Sequence, residues 1–224
     1  MTEVNFDVFP WDLSKFKGSS LDKRVVLEKL CERDYDINQY KSLSSDSKEA
    51  KISHAILQSL EVNQWVLFLA NDVDLIYTIS RLVPIIYALS TMRSVVNVSN
   101  DYLERVFQYP YGQDAVFGIQ ADLLSTINKT SLVVHENINE GNYRLRTLRG
   151  SILEFIKYRR KPNNRYFMTG VFAGEMSDDV KREIYNSIGD VFGPTVLNSI
   201  RQKASFMYAS FPQPPKRWES IKVK

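Results

Sequence analysis

Trp65-Val66-Leu67-Phe68-Leu69-Ala70 is continuously apolar, and Asn71-Asp72-Val73-Asp74 separates it from a second apolar run, Leu75 to Leu89. A short run with no polar alternation reads as a strand buried on both faces, as in the middle of a parallel sheet. The longer run exceeds strand length and reads as a helix, with a kink expected at Pro84, which lacks a backbone N–H. The order is therefore strand, tight polar turn, helix.

The pattern continues on both sides. Ser44 to Leu60 reads as a helix with Ser47 as its N-cap and Ile52, Ala55, Ile56 and Leu60 on one side. Arg93 to Val98 is a second strand and Leu132-Val133-Val134 a third, ending in His135-Glu136. Tyr166-Phe167-Met168-Thr169 is a fourth, and Ala204 to Phe211 alternates enough for a last one. Helices are expected at Ser19–Cys31, Asn100–Phe107, Gln120–Ile127, Thr147–Tyr158, Ser177–Ile188 and Thr195–Gln202. Ser177 caps the fifth of these, with Asp178 and Asp179 in its first turn. Strands alternating with helices imply an α/β fold with a mostly parallel sheet covered on both faces.

Composition bounds the class. With 44% hydrophobic residues in 224, the chain can bury a sizeable core. Cys31 is the one cysteine, which excludes an intrachain disulfide and fits a reducing, cytoplasmic setting. Met1 to Lys15 carries Glu3, Asp7 and Asp12 and is not expected to be a signal peptide. No uncharged apolar stretch reaches about 18 residues, so no membrane span is expected. Charge is uneven: residues 1–140 hold 13 Lys+Arg against 19 Asp+Glu, whereas residues 141–224 hold 16 against 7. Neither Ser/His/Asp nor Cys/His chemistry is supported by the two histidines, His54 and His135. No metal-ligand spacing occurs, and no cofactor is expected.

Taken in order, several segments resemble the AAA+ helicase-loader family, the DnaC/DnaI-like proteins, with IstB-like transposition helpers as relatives. They are Gln64 to Leu69, Leu132 to Glu136, Arg149 to Arg159, Asn164 to Gly170 and Phe192 to Arg201. The likeness covers roughly residues 45–211 and rests on the ordered set. It implies a three-layer P-loop NTPase (AAA+-like) core over 46–211. An N-terminal extension, 1–45, would be a partner-binding segment, and 212–224 a basic, proline-containing tail.

The resemblance sharpens what is missing. A phosphate loop reads G-x-x-x-x-G-K-[ST]: glycines let backbone N–H groups close on the phosphates, lysine neutralises them and the hydroxyl holds Mg²⁺. Here the glycine positions carry Ala70 and Leu75, the lysine position Ile76 and the hydroxyl position Tyr77. No lysine occurs between Lys51 and Lys129, and Asp72 and Asp74 put negative charge where triphosphate would rest. In the acidic pair, the metal-holding position carries His135 and the water-polarising position Glu136. The polar tip of the fourth strand falls on Val171, and the arginine-finger position on Ser199, with Arg201 two residues on. The implied protein is a catalytically inactive adaptor in DNA replication or on a mobile element or virus. Its expected partners are a replicative helicase, an active AAA+ subunit served in trans by Arg201, single-stranded DNA, or further copies of itself. Read without the resemblance, Asp72 and Asp74 are a polar loop, His135 a partly buried turn histidine and Glu136 a surface acid.

Arg144, Arg146, Arg149, Lys157, Arg159, Arg160, Lys161 and Arg165 form the densest basic region, interleaved with Tyr143, Tyr158 and Tyr166. Phosphate contacts beside stacking rings suit single-stranded nucleic acid; the plain alternative is a solvated helix face. Phe107, Tyr109, Tyr111 and Phe117 would anchor a partner or cap a core, and Trp11 and Phe16 would dock one. An active NTPase with an atypical loop and a simple nucleic-acid-binding domain are the competing functional readings.

Overall fold

A computed structural model describes residues 46–91, 93–99, 130–139 and 164–211. The expectations for 1–45, for the helices at 100–107, 120–127 and 147–158, for the aromatic cluster at 107–117 and for the tail lie outside them.

Each described segment adopts the element its pattern dictates. Helix α1 is Lys48–Val62, and the Ser47 hydroxyl accepts from the Ala50 N–H at 3.2 Å. Ala55, expected on its apolar side, is exposed; Ala50, Ser53, Ile56 and Leu60 are the buried positions. Strand β1, Trp65–Ala70, is buried at every residue. Helix α2, Val73–Thr91, contains Pro84 within one continuous run. A mid-helix proline costs about 3 kcal/mol. The burial of Leu82, Val83, Ile85 and Ile86 around it offsets that cost.

Strands β2 (Val95–Ser99), β3 (Leu132–Glu136), β4 (Arg165–Val171) and β5 (Ala204–Ala209) complete the sheet. Helices α3 (Asp178–Phe192) and α4 (Pro194–Lys203) lie between β4 and β5 in the chain. Helix α3 runs past Ile188 because Val191 and Phe192 are also buried. Gly193, at φ 86°, ends α3 and starts α4, a backbone setting that favours glycine, and Pro194 follows at the first helical turn.

The five strands are all parallel, in the order β2-β3-β4-β1-β5. Pleat alternation sends the two sides of each strand into two cores. Val66, Phe68, Val134 and Phe167 meet α1 and α2; Trp65, Leu67, Val133, Tyr166 and Met168 meet α3 and α4. The result is a three-layer α/β P-loop fold with β4 at the middle of the sheet and β1 beside it. Helix α2 is long and apolar enough by composition to cross a bilayer, but 67% of its most apolar window is buried in the fold.

Gly170 marks a close approach at the end of β4. A Cβ there would lie 2.8 Å from Leu69 Cδ2 and would also clash with Asn139 Oδ1. Asn139 brackets the neighbouring peptide: its Nδ2 donates to the Val171 carbonyl at 2.7 Å, and the Val171 N–H donates to its Oδ1 at 3.2 Å. Gly170→Ala is expected to lower unfolding free energy by about 1–3 kcal/mol, read by urea denaturation. An unchanged midpoint would show that the turn gives way freely.

Candidate functional site

In an open parallel sheet, ligands bind at the carboxyl ends of the strands. There β1 stops at Ala70 and α2 starts at Val73, so Asn71 and Asp72 alone span the gap. The helix begins earlier than Leu75, and positions expected to belong to a phosphate loop are already helical. Leu75 and Ile76 are each 3% exposed and packed in the core, while Tyr77 is 52% exposed.

Both turn residues are engaged. Asp72 occupies the N-cap position: its Oδ1 accepts from the Leu75 N–H at 3.0 Å and its carbonyl from the Ile76 N–H at 3.1 Å. A helix N-terminus attracts anions through free N–H groups and its dipole. Here the chain supplies the anion itself. Lys48 reaches Asp72 Oδ2 at 3.5 Å and also lies 4.5 Å above the Phe211 ring. Asn71, nearly buried, ties three segments together. Its Nδ2 donates to the carbonyls of Gly174 and Phe211, each at 2.8 Å, and its Oδ1 accepts from the Phe211 N–H at 2.9 Å. The end of β1 is therefore closed over by the β4–α3 loop and the chain leaving β5.

The acidic pair separates onto opposite faces. His135 is 0% exposed and points toward α3 and α4. There it shares a hydrogen bond with the Tyr166 hydroxyl through Nδ1 and meets the Phe192 ring edge-on at 5.5 Å. Trp65 packs at right angles on Tyr166 at 5.3 Å, extending the column. At the position that the resemblance makes metal-holding, His135 is thus packed into the core on the α3/α4 side of the sheet. It is not a turn histidine, because it lies within β3.

Glu136 is the carboxylate on the α2 side. Its Oε1 accepts from Arg81 Nη1 at 3.0 Å and from Asn97 Nδ2 at 2.6 Å. The Arg81 guanidinium lies 3.6 Å over the Tyr77 ring. Two neighbours that sequence reasoning missed shape this end of the sheet. Thr169 Oγ1 shares a buried 3.1 Å hydrogen bond with Ser80 Oγ, and Asn139 covers Val171. Asn137 and Asn139, in a turn directly after an apolar strand, were the available signal for the second. Asn137 has φ 50°, a value that asparagine tolerates better than most residues.

Ser199 faces inward and its hydroxyl donates to the Thr195 carbonyl at 3.0 Å. Arg201 is exposed on α4, its guanidinium 4.9 Å over the Tyr185 ring. Of the basic region, Arg165 is described: its Nε donates to the Leu60 carbonyl at 2.7 Å near the end of α1, a structural role. Arg144, Arg146, Arg149, Lys157, Arg159, Arg160 and Lys161 lie outside the described residues. Among the described residues no group of three or more His, Cys, Asp or Glu side chains is placed to hold a metal ion.

No family model matches this sequence, and no curated protein matches it at significant similarity. Solved structures do. A DNA replication initiation factor aligns with TM-score 0.52 at 8% identity, over 73% of this chain and 46% of the other. The chain thus spans about half the length of that protein. A DnaC helicase loader aligns with TM-score 0.48 at 11% identity, over 91% of this chain and 99% of the other. DnaI aligns with TM-score 0.46 at 13% identity, over 74% and 87%. At these identities the likeness is one of fold.

Burial lowers the His135 pKa from 6.5 to about 3. The folded state therefore holds His135 neutral where the unfolded chain would protonate it. The resulting stability is complete above pH 6.5 and is lost as pH falls from 6.5 toward 3. Between pH 6 and 5 the unfolding free energy is expected to fall with a slope approaching about 1.4 kcal/mol per pH unit. His135→Gln, which cannot take up the proton, should flatten that segment in denaturant titrations. The same slope in both proteins would remove His135 as its source.

Proposed function

We propose that this chain is a binding protein on a P-loop fold that does not hydrolyse nucleotide, acting in a replication setting through contacts with an ATPase or helicase partner. The observation that carries the first half is the Asp72 carboxylate capping α2 where a phosphate would need the same N–H groups. Three features add support. The turn is too short to form a nest of free N–H groups. The positions of the phosphate-binding lysine and hydroxyl carry Ile76, buried, and Tyr77, exposed. The surviving acid, Glu136, is held by Arg81 rather than aimed at water. A carboxylate and a triphosphate on one helix terminus repel, and the cation described at this turn, Lys48, is already paired with Asp72.

The replication setting is proposed by analogy of fold with the DNA replication initiation factor, and function does not follow from fold by itself. The exposed Arg201 suits a role toward a neighbouring ATPase, in which a guanidinium stabilises transition-state charge on a nucleotide bound by the partner.

Calorimetric titration of the whole chain with ATP·Mg should give no binding heat up to millimolar nucleotide. Saturable binding in the micromolar range would overturn the proposal in favour of an NTPase with an atypical loop. The partner half is read separately. A replicative helicase or AAA+ ATPase that this chain stimulates should lose most of the stimulation with Arg201→Ala while still binding the variant. An unchanged ATPase rate would exclude the trans role.

A further inference from the structure

Strand β5 is an edge strand among the described residues, pairing with β1 alone. On its α3/α4 side, aromatic rings and cations alternate. Phe206 lies 6.2 Å from Tyr208, and Tyr185 of α3 lies 6.2 Å from Phe206. Lys181 Nζ sits 4.4 Å over Phe206, Arg201 4.9 Å over Tyr185, and Lys203 Nζ 5.9 Å over Trp65. Tyr208, at the end of the row, is 55% exposed. Lys181, Arg201 and Lys203 pair with no carboxylate among the described residues, whereas neighbouring Arg182 is engaged by Asp179 at 3.2 Å.

We infer that this face is a binding surface for single-stranded nucleic acid, built from other residues than the basic run at 144–165. The chemistry is specific to that ligand class. Every unpaired base has a π-face to lay on an open ring, and Tyr208 offers one; the backbone between bases carries one negative charge per nucleotide. Cations held over rings keep their charge at the surface without being neutralised by acids. The rings rise from the face of the strand rather than from its backbone edge, which suits stacking better than the addition of a peptide strand. Double-stranded nucleic acid hides its base faces and gains from the cations alone. The inference is independent of whether ATP binds at the β1–α2 turn.

The test is fluorescence anisotropy of a labelled oligo(dT) on the full chain, titrated at several salt concentrations. Each phosphate contact contributes about 0.7 to the slope of log K against log salt for a single strand. Lys181→Ala combined with Lys203→Ala should therefore reduce that slope by about 1.4. Arg201 is left unchanged so that its role toward a partner is undisturbed. Tyr208→Ala should weaken binding by about fivefold or more at fixed salt, with little effect on the slope. Tyr208→Phe, which keeps the ring, should restore affinity. Circular dichroism of each variant separates loss of fold from loss of contact. No oligonucleotide binding at low salt, or affinity and slope unaffected by these variants, overturns the proposal. So does equal affinity for a duplex of the same length. Displacement of the oligonucleotide by an extended acidic peptide, with Tyr208→Ala neutral, would reassign the face to a protein partner.

Discussion

The distance between the end of β1 and the start of α2 is the constraint on which the rest of this end of the molecule depends. A gap of two residues leaves the backbone no room to curl around a bound group, so its polar atoms are satisfied from within. Asp72 serves the helix and Asn71 serves the chain ends that converge beside it. Lengthening the gap would free N–H groups but also release the Asn71 contacts that hold the β4–α3 loop and the β5 exit in place. The closed crevice and the stability of the sheet's carboxyl end are one arrangement.

The two faces of the sheet solve different packing problems. The α1/α2 face is mostly aliphatic around Phe68 and Phe167, and α2 presents Leu82, Ile85, Ile86 and Leu89 to it through a helix that tolerates proline because it is enclosed. The α3/α4 face is aromatic, with Trp65, Tyr166, His135 and Phe192 in contact. A neutral imidazole fits such a column because a tyrosine hydroxyl meets its nitrogen and rings enclose its carbons. Side by side in sequence, His135 and Glu136 have opposite fates for no reason but the period of two in a strand.

Much of the fold was legible. The unbroken apolar run at Trp65–Ala70 announced a central parallel strand, and Ser47 and Ser177 announced helix starts through the hydrogen bonds their hydroxyls make. The site was legible only as a set of residue types. Nothing in the local pattern says that Asp72 folds back onto Leu75 N–H, since an aspartate in a turn reads the same whether it caps or faces solvent. The pairing of Arg81 with Glu136 joins residues 55 apart and needs the sheet to exist first. Ala55 misled because alanine is favourable in a helix on either side. The ring-and-cation row beside β5 escaped because its members come from four elements, and no single window of sequence holds them.

The Asn71 amide also sets an order of events during synthesis. Its partner Phe211 lies 140 residues further along, so on a chain emerging from its N-terminal end the contact waits for nearly the whole core to be made. Until β4 and then β5 are made, β1 lacks its neighbours, and the edges of a strand that is apolar at every residue stand open. An exposed strand of that composition invites pairing with other chains. The nascent protein is thus most vulnerable to self-association in the interval between the appearance of β1 and the arrival of Phe211, and slower translation of that stretch prolongs the risk.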